Sequence, residues 1–353
     1  MAPRTGAASR AWRIAAWLLA GLAVLLAAPL AAQTLDTAAV QAQQTEARTR
    51  ALERASHAVV GVETLSIDDA PSAATLGRAR IGSGVVIGDD DLVLTIGYLI
   101  VEAERVDLVD GAGRRVPARV VAYDVATGFG LLQALAPLAL APAPLGDAAA
   151  LVDGEPLLVA SGGQIATLGI SRLVSRRPFS GYWEYHIDDA LFTAPARVDH
   201  SGAGLFNADG ELLGIGSLVV ADATGIGAPG LRGNMFVPVD LLKPILAELR
   251  VRGASAASRR AWLGVNCIEA DDHLRVIRVA EDSPAERAGL RVGDEILGID
   301  GSAATTLHAF YTALWQRGVV REVELRIRRA DAERTIRATT ADRLQTFKRP
   351  QGV

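Results

Sequence analysis

Gly84-Val-Val-Ile-Gly88, Leu92-Val-Leu-Thr95, Val106-Asp-Leu-Val109, the turn Asp110-Gly-Ala-Gly113 and Pro117-Ala-Arg-Val-Val-Ala122 are short β-branched runs separated by turn residues. Branched side chains pack well on a pleated surface, and Gly and Asp allow the tight connections between runs. The rhythm starts at a first core strand over Ala58–Thr64 and lasts to Val220. Many short strands at close spacing predict a mainly β fold, a sandwich or a pair of barrels.

Outward from this block the pattern changes. Pro238-Val-Asp-Leu-Leu-Lys-Pro-Ile-Leu-Ala-Glu-Leu-Arg250 places apolar residues every three to four positions behind Asp240, which predicts a capped helix closing the first domain over 58–252. The small, polar residues 253–259 have nothing to bury and read as a linker. A second domain follows over 260–342, with a tail at 343–353. Residues 33–57 are polar and rich in Ala, Gln and Arg, a linker or a short helix. At the start, Arg4, Arg10 and Arg13 precede the apolar run Ile14–Ala28 and then Pro-Leu-Ala-Ala-Gln, so residues 1–32 read as an export signal, cleaved after Ala32 or kept as a membrane anchor.

Composition narrows the function. With 353 residues, half of them apolar, the chain can bury sizeable cores. Its net charge of -4 is spread along the chain without a basic stripe, which argues against nucleic acid as a partner. The single cysteine, Cys267, forms no internal disulfide and reads as a small buried hydrophobe. No His, Cys and Asp spacing matches a zinc site and no glycine-rich loop opens a helix, so no cofactor is expected.

Four stretches occur in order: Ile81-Gly-Ser-Gly-Val-Val-Ile-Gly88, Asp91-Leu-Val-Leu-Thr95, Ser201-Gly-Ala-Gly-Leu-Phe-Asn-Ala-Asp-Gly-Glu-Leu-Leu-Gly-Ile215 and Asn234-Met-Phe-Val-Pro-Val-Asp-Leu-Leu-Lys-Pro244. Together they resemble the HtrA (DegP-like) family of trypsin-like serine proteases. The second domain adds Ser283-Pro-Ala-Glu-Arg-Ala-Gly-Leu-Arg-Val-Gly-Asp-Glu-Ile-Leu-Gly-Ile-Asp-Gly301, which resembles a bacterial PDZ domain. The resemblance implies a chymotrypsin-like double β-barrel followed by an α+β PDZ domain, located in the periplasm.

Proteolysis of this kind needs a serine, a histidine base, an aspartate orienting it and backbone donors for the oxyanion. Matched to the family pattern, Ser201 stands at the nucleophile, Tyr98 at the histidine, Gly128 at the aspartate and Asp199 at an oxyanion glycine. The resemblance thus implies a vestigial site. His57, His186 and His200 are weighed as substitute bases and read as solvated or locally bonded imidazoles, and adjacent Asp188 and Asp189 point apart on a strand. In the second domain Trp262, Leu263, Gly264 and Val265 occupy the place of the carboxylate-binding loop, whose amides hold a peptide C-terminus, with Trp262 as a pocket wall. The helix expected over Thr306–Arg317 carries Leu307, Phe310, Tyr311 and Leu314 toward core or groove.

Three readings follow. The first is a pseudoprotease binding peptide C-termini or unfolded envelope proteins, as adaptor, holdase or regulator of an active HtrA relative, and able to form a homo-oligomer. The second is a serine endopeptidase with an unorthodox base, and the third a structural oligomerisation module.

Overall fold

A computed structural model describes residues 43–164, 166–227 and 230–348. The expected export segment lies outside these residues. Among the described residues no helix is long and apolar enough to cross a membrane. Residues 43–57 are helical.

The alternating β-branched runs close into two barrels. Strands β1 (Val59–Ser66), β2 (Ala79–Val86), β3 (Leu92–Ile96), β4 (Ala103–Val109), β5 (Arg115–Tyr123) and β6 (Phe129–Ala134) form the first, in the order β1-β2-β3-β6-β5-β4. Strands β7 (Pro156–Ser161), β8 (Thr167–Gly181), β9 (Tyr185–Ala194), β10 (Gly204–Phe206), β11 (Leu212–Val220) and β12 (Gly233–Pro238) form the second, ordered β10-β11-β12-β9-β8-β7. Closure removes the free edges that such strands would otherwise expose. Val62, Leu94, Leu108 and Leu131 fill the first barrel and Phe192, Phe206 and Phe236 the second, all fully buried.

The expected closing helix starts late. Val239–Leu241 form a 3-10 turn and the helix proper, α1, spans Leu246–Arg252. Asp240 caps nothing there: its carboxylate accepts from the Ala148 amide at 2.8 Å and from Lys243 Nζ at 2.6 Å. Pro244 also disfavours helical backbone at the residue before it, which delays the start.

The second domain is a sheet of β14 (Val265–Ala270), β15 (His273–Val279), β16 (Glu295–Ile299), β18 (Glu322–Arg329) and β19 (Ala332–Thr339). A short β17 (Ser302–Ala303) pairs with β16, and β13 (Ala261–Trp262) pairs with β20 (Ala341–Asp342). Helix α2 (Pro284–Arg287) is capped by Ser283 Oγ, and α3 (Leu307–Trp315) by Thr306 Oγ1. Leu307, Phe310, Tyr311 and Leu314 of α3 are all buried in this domain's core.

The barrels meet where the Ser83 amide donates to Ser201 O at 2.8 Å and Thr95 Oγ1 donates to Ser83 O at 2.6 Å. Gly202 lies there at φ 73°, and a Cβ on it would stand 1.9 Å from Ser83 O. Left-handed backbone and overlap act together, so Gly202→Ala is expected to destabilise the protein by about 3 kcal/mol in urea unfolding. Gly111→Ala, where a Cβ meets nothing within 4 Å, is the matched control and should change stability by less than about 0.5 kcal/mol.

Candidate active site and peptide groove

Ser201 sits in the loop between β9 and β10, held by the Ser83 bond and by the Gly202 amide donating to Gly216 O at 2.8 Å. Tyr98 follows β3 in the 3-10 turn Gly97–Leu99. That turn is fixed from behind by the buried Arg80, whose guanidinium donates to Tyr98 O at 3.0 Å and Val101 O at 2.7 Å. The Tyr98 hydroxyl crosses to the second barrel and donates to Ser217 O at 2.9 Å, with the Ser201 hydroxyl near enough to act on the same phenol. Burial pushes this phenol up to about 12, against the Ser201 bond. It therefore keeps its proton near neutrality and cannot take one from Ser201.

Gly128 ends the turn before β6 at φ 80°. Asp124 builds that turn by accepting from the Thr127 amide at 2.9 Å and hydroxyl at 2.6 Å. A Cβ at Gly128 would stand 3.0 Å from Tyr185 Oη, which donates to Thr127 O at 2.6 Å. The space beside Gly128 thus holds a buried phenol from the second barrel.

Asp199 is turned away from Ser201. Its carboxylate accepts from Ser161 Oγ at 2.7 Å, pairs with Arg197 at 2.8 Å and bonds Thr167 Oγ1. Burial raises its carboxyl, but Arg197, Thr167, Ser161 and its own backbone amide outweigh that and hold it at about 2. This pairing would blunt the repulsion between that carboxylate and a developing oxyanion.

The other titratable groups stay apart from Ser201. His200 Nδ1 lies 3.1 Å from Arg197 O, and burial lowers its imidazole below the usual range. His186 is on β9, with Nδ1 2.8 Å from Ser180 Oγ and Nε2 3.0 Å from Asp188 Oδ1, a locally bonded imidazole. His57 closes the helix over 43–57. Burial pushes the Cys267 thiol up, which leaves it unreactive. Among the described residues no group of three His, Cys, Asp or Glu side chains could hold a metal ion.

The amides of the loop before β14, expected to be free for a peptide, are engaged from within the chain. Leu263 N donates to Glu184 Oε2 at 3.0 Å, and Gly264 N and Val265 N donate to Oε1 at 2.7 and 2.9 Å. Burial pushes the Glu184 carboxyl up, opposed by Arg343 and the three amides. Beside it the Cys267 amide donates to Tyr182 O at 3.0 Å, and Tyr311 Oη donates to Gly181 O at 2.6 Å while accepting from Glu184 N at 3.1 Å. Trp262 stacks under Arg343, at 5.5 Å from the guanidinium carbon. Arg80, Glu184 and Tyr185 are not legible in the sequence because each acts on an element far from it along the chain. The one local hint is an acid among aromatics, Tyr182-Trp-Glu-Tyr185.

A trypsin-like peptidase domain matches residues 82–215 and a PDZ domain matches 261–340. This chain is HtrA-like. Among curated relatives, the putative serine protease HhoA of Synechocystis sp. is 27% identical over 288 residues, covering 74% of this chain and 70% of that protein. A probable periplasmic serine endoprotease, DegP-like, of Halomonas elongata is 26% identical over 282 residues, covering 75% of this chain and 57% of that protein. The fold is shared with solved HtrA-type structures. AlgW with a decapeptide superposes at TM-score 0.52 with 20% identity over 84% of this chain and 98% of that one. A serine endoprotease from Yersinia pestis does so at 0.51 with 23% identity, over 84% and 97%.

The depressed Asp199 of the HtrA-like chain gives a pH-dependent signature. A carboxyl whose folded pKa is lowered stabilises the fold above its unfolded value and loses that contribution as pH falls toward the folded one. Asp199→Asn should therefore cost about 1 kcal/mol at pH 7, after allowance for solvent screening, with the difference from the parent shrinking between about pH 4 and pH 2. Denaturant unfolding of both proteins across that range measures it.

Proposed function

We propose that this HtrA-like chain is a periplasmic pseudoprotease, which binds peptides or unfolded proteins through its PDZ domain and acts as adaptor, holdase or regulator. The observation carrying this reading is the Tyr98 phenol, bonded to Ser217 O beside Ser201 at the position where the family has its base. A phenol held at about 12 leaves Ser201 as an ordinary alcohol. Losing the base alone from such a triad costs on the order of a million-fold in rate, about 8 kcal/mol of barrier. Gly128 supplies no carboxylate to orient an imidazole, and Asp199 stands where the family has an oxyanion glycine. The periplasmic placement draws on the Arg-led apolar segment at the N-terminus and on the names of the DegP-like relatives.

The purified protein is expected to degrade casein no faster than its Ser201→Ala variant, and Ser201 should resist a fluorophosphonate probe. Degradation that disappears with Ser201→Ala would refute the proposal.

Restoring one group at a time should also fail. Tyr98→His leaves residue 128 without a carboxylate, and a side chain there must displace the Tyr185 hydroxyl. Casein turnover by Tyr98→His, and by Tyr98→His with Gly128→Asp, is expected to stay within about tenfold of the parent's background, read by release of labelled fragments.

A further inference from the structure

The carboxylate loop of the second domain already holds a carboxylate. Both Glu184 oxygens receive amides of three consecutive residues, Leu263, Gly264 and Val265, at 2.7 to 3.0 Å. The backbone of the same hairpin tip continues along β14, where Cys267 N donates to Tyr182 O at 3.0 Å. The acid therefore meets the loop while a carbonyl two residues earlier meets the following strand. A turn thus makes, with one backbone bond and a side-chain carboxylate, the two contacts that an extended chain added edge-on to the sheet would make with its end in the loop. Tyr311 of α3 closes the other side through Gly181 O and Glu184 N. On the flank His308 Nδ1 lies 3.1 Å from His186 Nε2.

We propose that the tip Gly181–Glu184, between β8 and β9, is a built-in occupant of the PDZ groove, which a peptide C-terminus enters only by displacing Glu184.

Two features make the occupant displaceable. Glu184 sits at φ 58°, a left-handed conformation that a non-glycine residue holds only at a cost, and its charged group is buried. An incoming terminal carboxylate can satisfy the same amides with ordinary extended backbone. Next to the tip, a cavity of about 980 Å³ runs between the hairpin and the same strand and helix, with Phe179, Leu218, Ile268 and Leu307 among its walls. The upstream residues of a peptide have room there before Glu184 moves, and those walls favour apolar side chains. The class of ligand is thus a free chain terminus preceded by apolar residues. Because the competing carboxylate is tethered, its effective concentration is on the order of millimolar or above, and apparent affinity falls by the fraction of grooves open.

The inference rests on the peptide-capture reading above only for the identity of the competitor, and the test separates the two. The probe is a fluorescein-labelled peptide, Gly-Tyr-Trp-Val, with a free or an amidated C-terminus, titrated into the full chain by fluorescence polarisation. Glu184→Ala is expected to bind the free peptide at least tenfold more tightly than the parent, and amidation should remove the gain. In parallel, hydrogen exchange at Leu263, Gly264, Val265 and Cys267 should speed up at least tenfold in Glu184→Ala. Glu184→Gln, which keeps the shape of the side chain, carries the same comparison if the alanine variant does not fold. Equal peptide binding by parent and variant, or amides as protected in the variant as in the parent, would overturn the built-in occupant. Faster exchange with no peptide binding in either protein would uphold the occupant and refute peptide capture instead.

Discussion

The Glu184 carboxylate ties the two halves of the molecule together. Three amides of a turn before a sheet edge cannot all be satisfied by their own loop, and a buried carboxylate without donors is expensive. Each solves the other's problem, through bonds of 2.7 to 3.0 Å. Hydrogen bonds to a charged group contribute about 1.5 to 3 kcal/mol each, and the cost of burying the carboxylate offsets part of that. The chain after the PDZ domain adds to it. Phe347 packs on Tyr123 of the first barrel with ring centroids 5.4 Å apart, and the Lys348 amide donates to Glu102 Oε1 at 2.9 Å.

The barrel junction follows a similar rule, in that its polar side chains find partners across the cleft or beside them. Tyr98 spans the cleft to Ser217 O, and Tyr185 fills the space beside Gly128. Asp199 has its own cation in Arg197. Tyr98, Tyr185 and Asp199 are thus each bonded to groups other than one another, while Asp124 Oδ1 and Arg197 Nε are buried without a partner. Glu184 and Tyr185 are also consecutive, one in the PDZ loop and the next beside Gly128, so groove and cleft are joined by a single peptide link.

Much of this was legible in the residues. The β-branched runs between turns announced the strands of both barrels, and β3 covers Leu92–Ile96 where Leu92–Thr95 was expected. The helix Pro284–Arg287 and the strand Glu295–Ile299 fall within Ser283–Gly301, the stretch that resembles a PDZ domain. Local chemistry suffices in such cases, because side-chain period and turn residues act over a few positions. The closing helix shows the limit. Its period was correct, but Asp240 bonds the Ala148 amide 92 residues away, a partner that no local rule could supply.

The sequence by itself determined which side chains exist at each position: a phenol at 98, no side chain at 128, a carboxylate at 199 and Trp262-Leu-Gly-Val265 leading into β14. Those identities decide what chemistry is possible, because a proton acceptor that is absent cannot be recovered by folding. Only the tertiary structure decided where each group is spent. It turned Asp199 toward Arg197, set Tyr185 against Gly128 and carried Glu184 some eighty residues along the chain into the loop at 263–265. The reason is physical: hydrogen bonds and ion pairs depend on distances of about 3 Å, and distances between residues remote in the chain are set only by how whole domains pack.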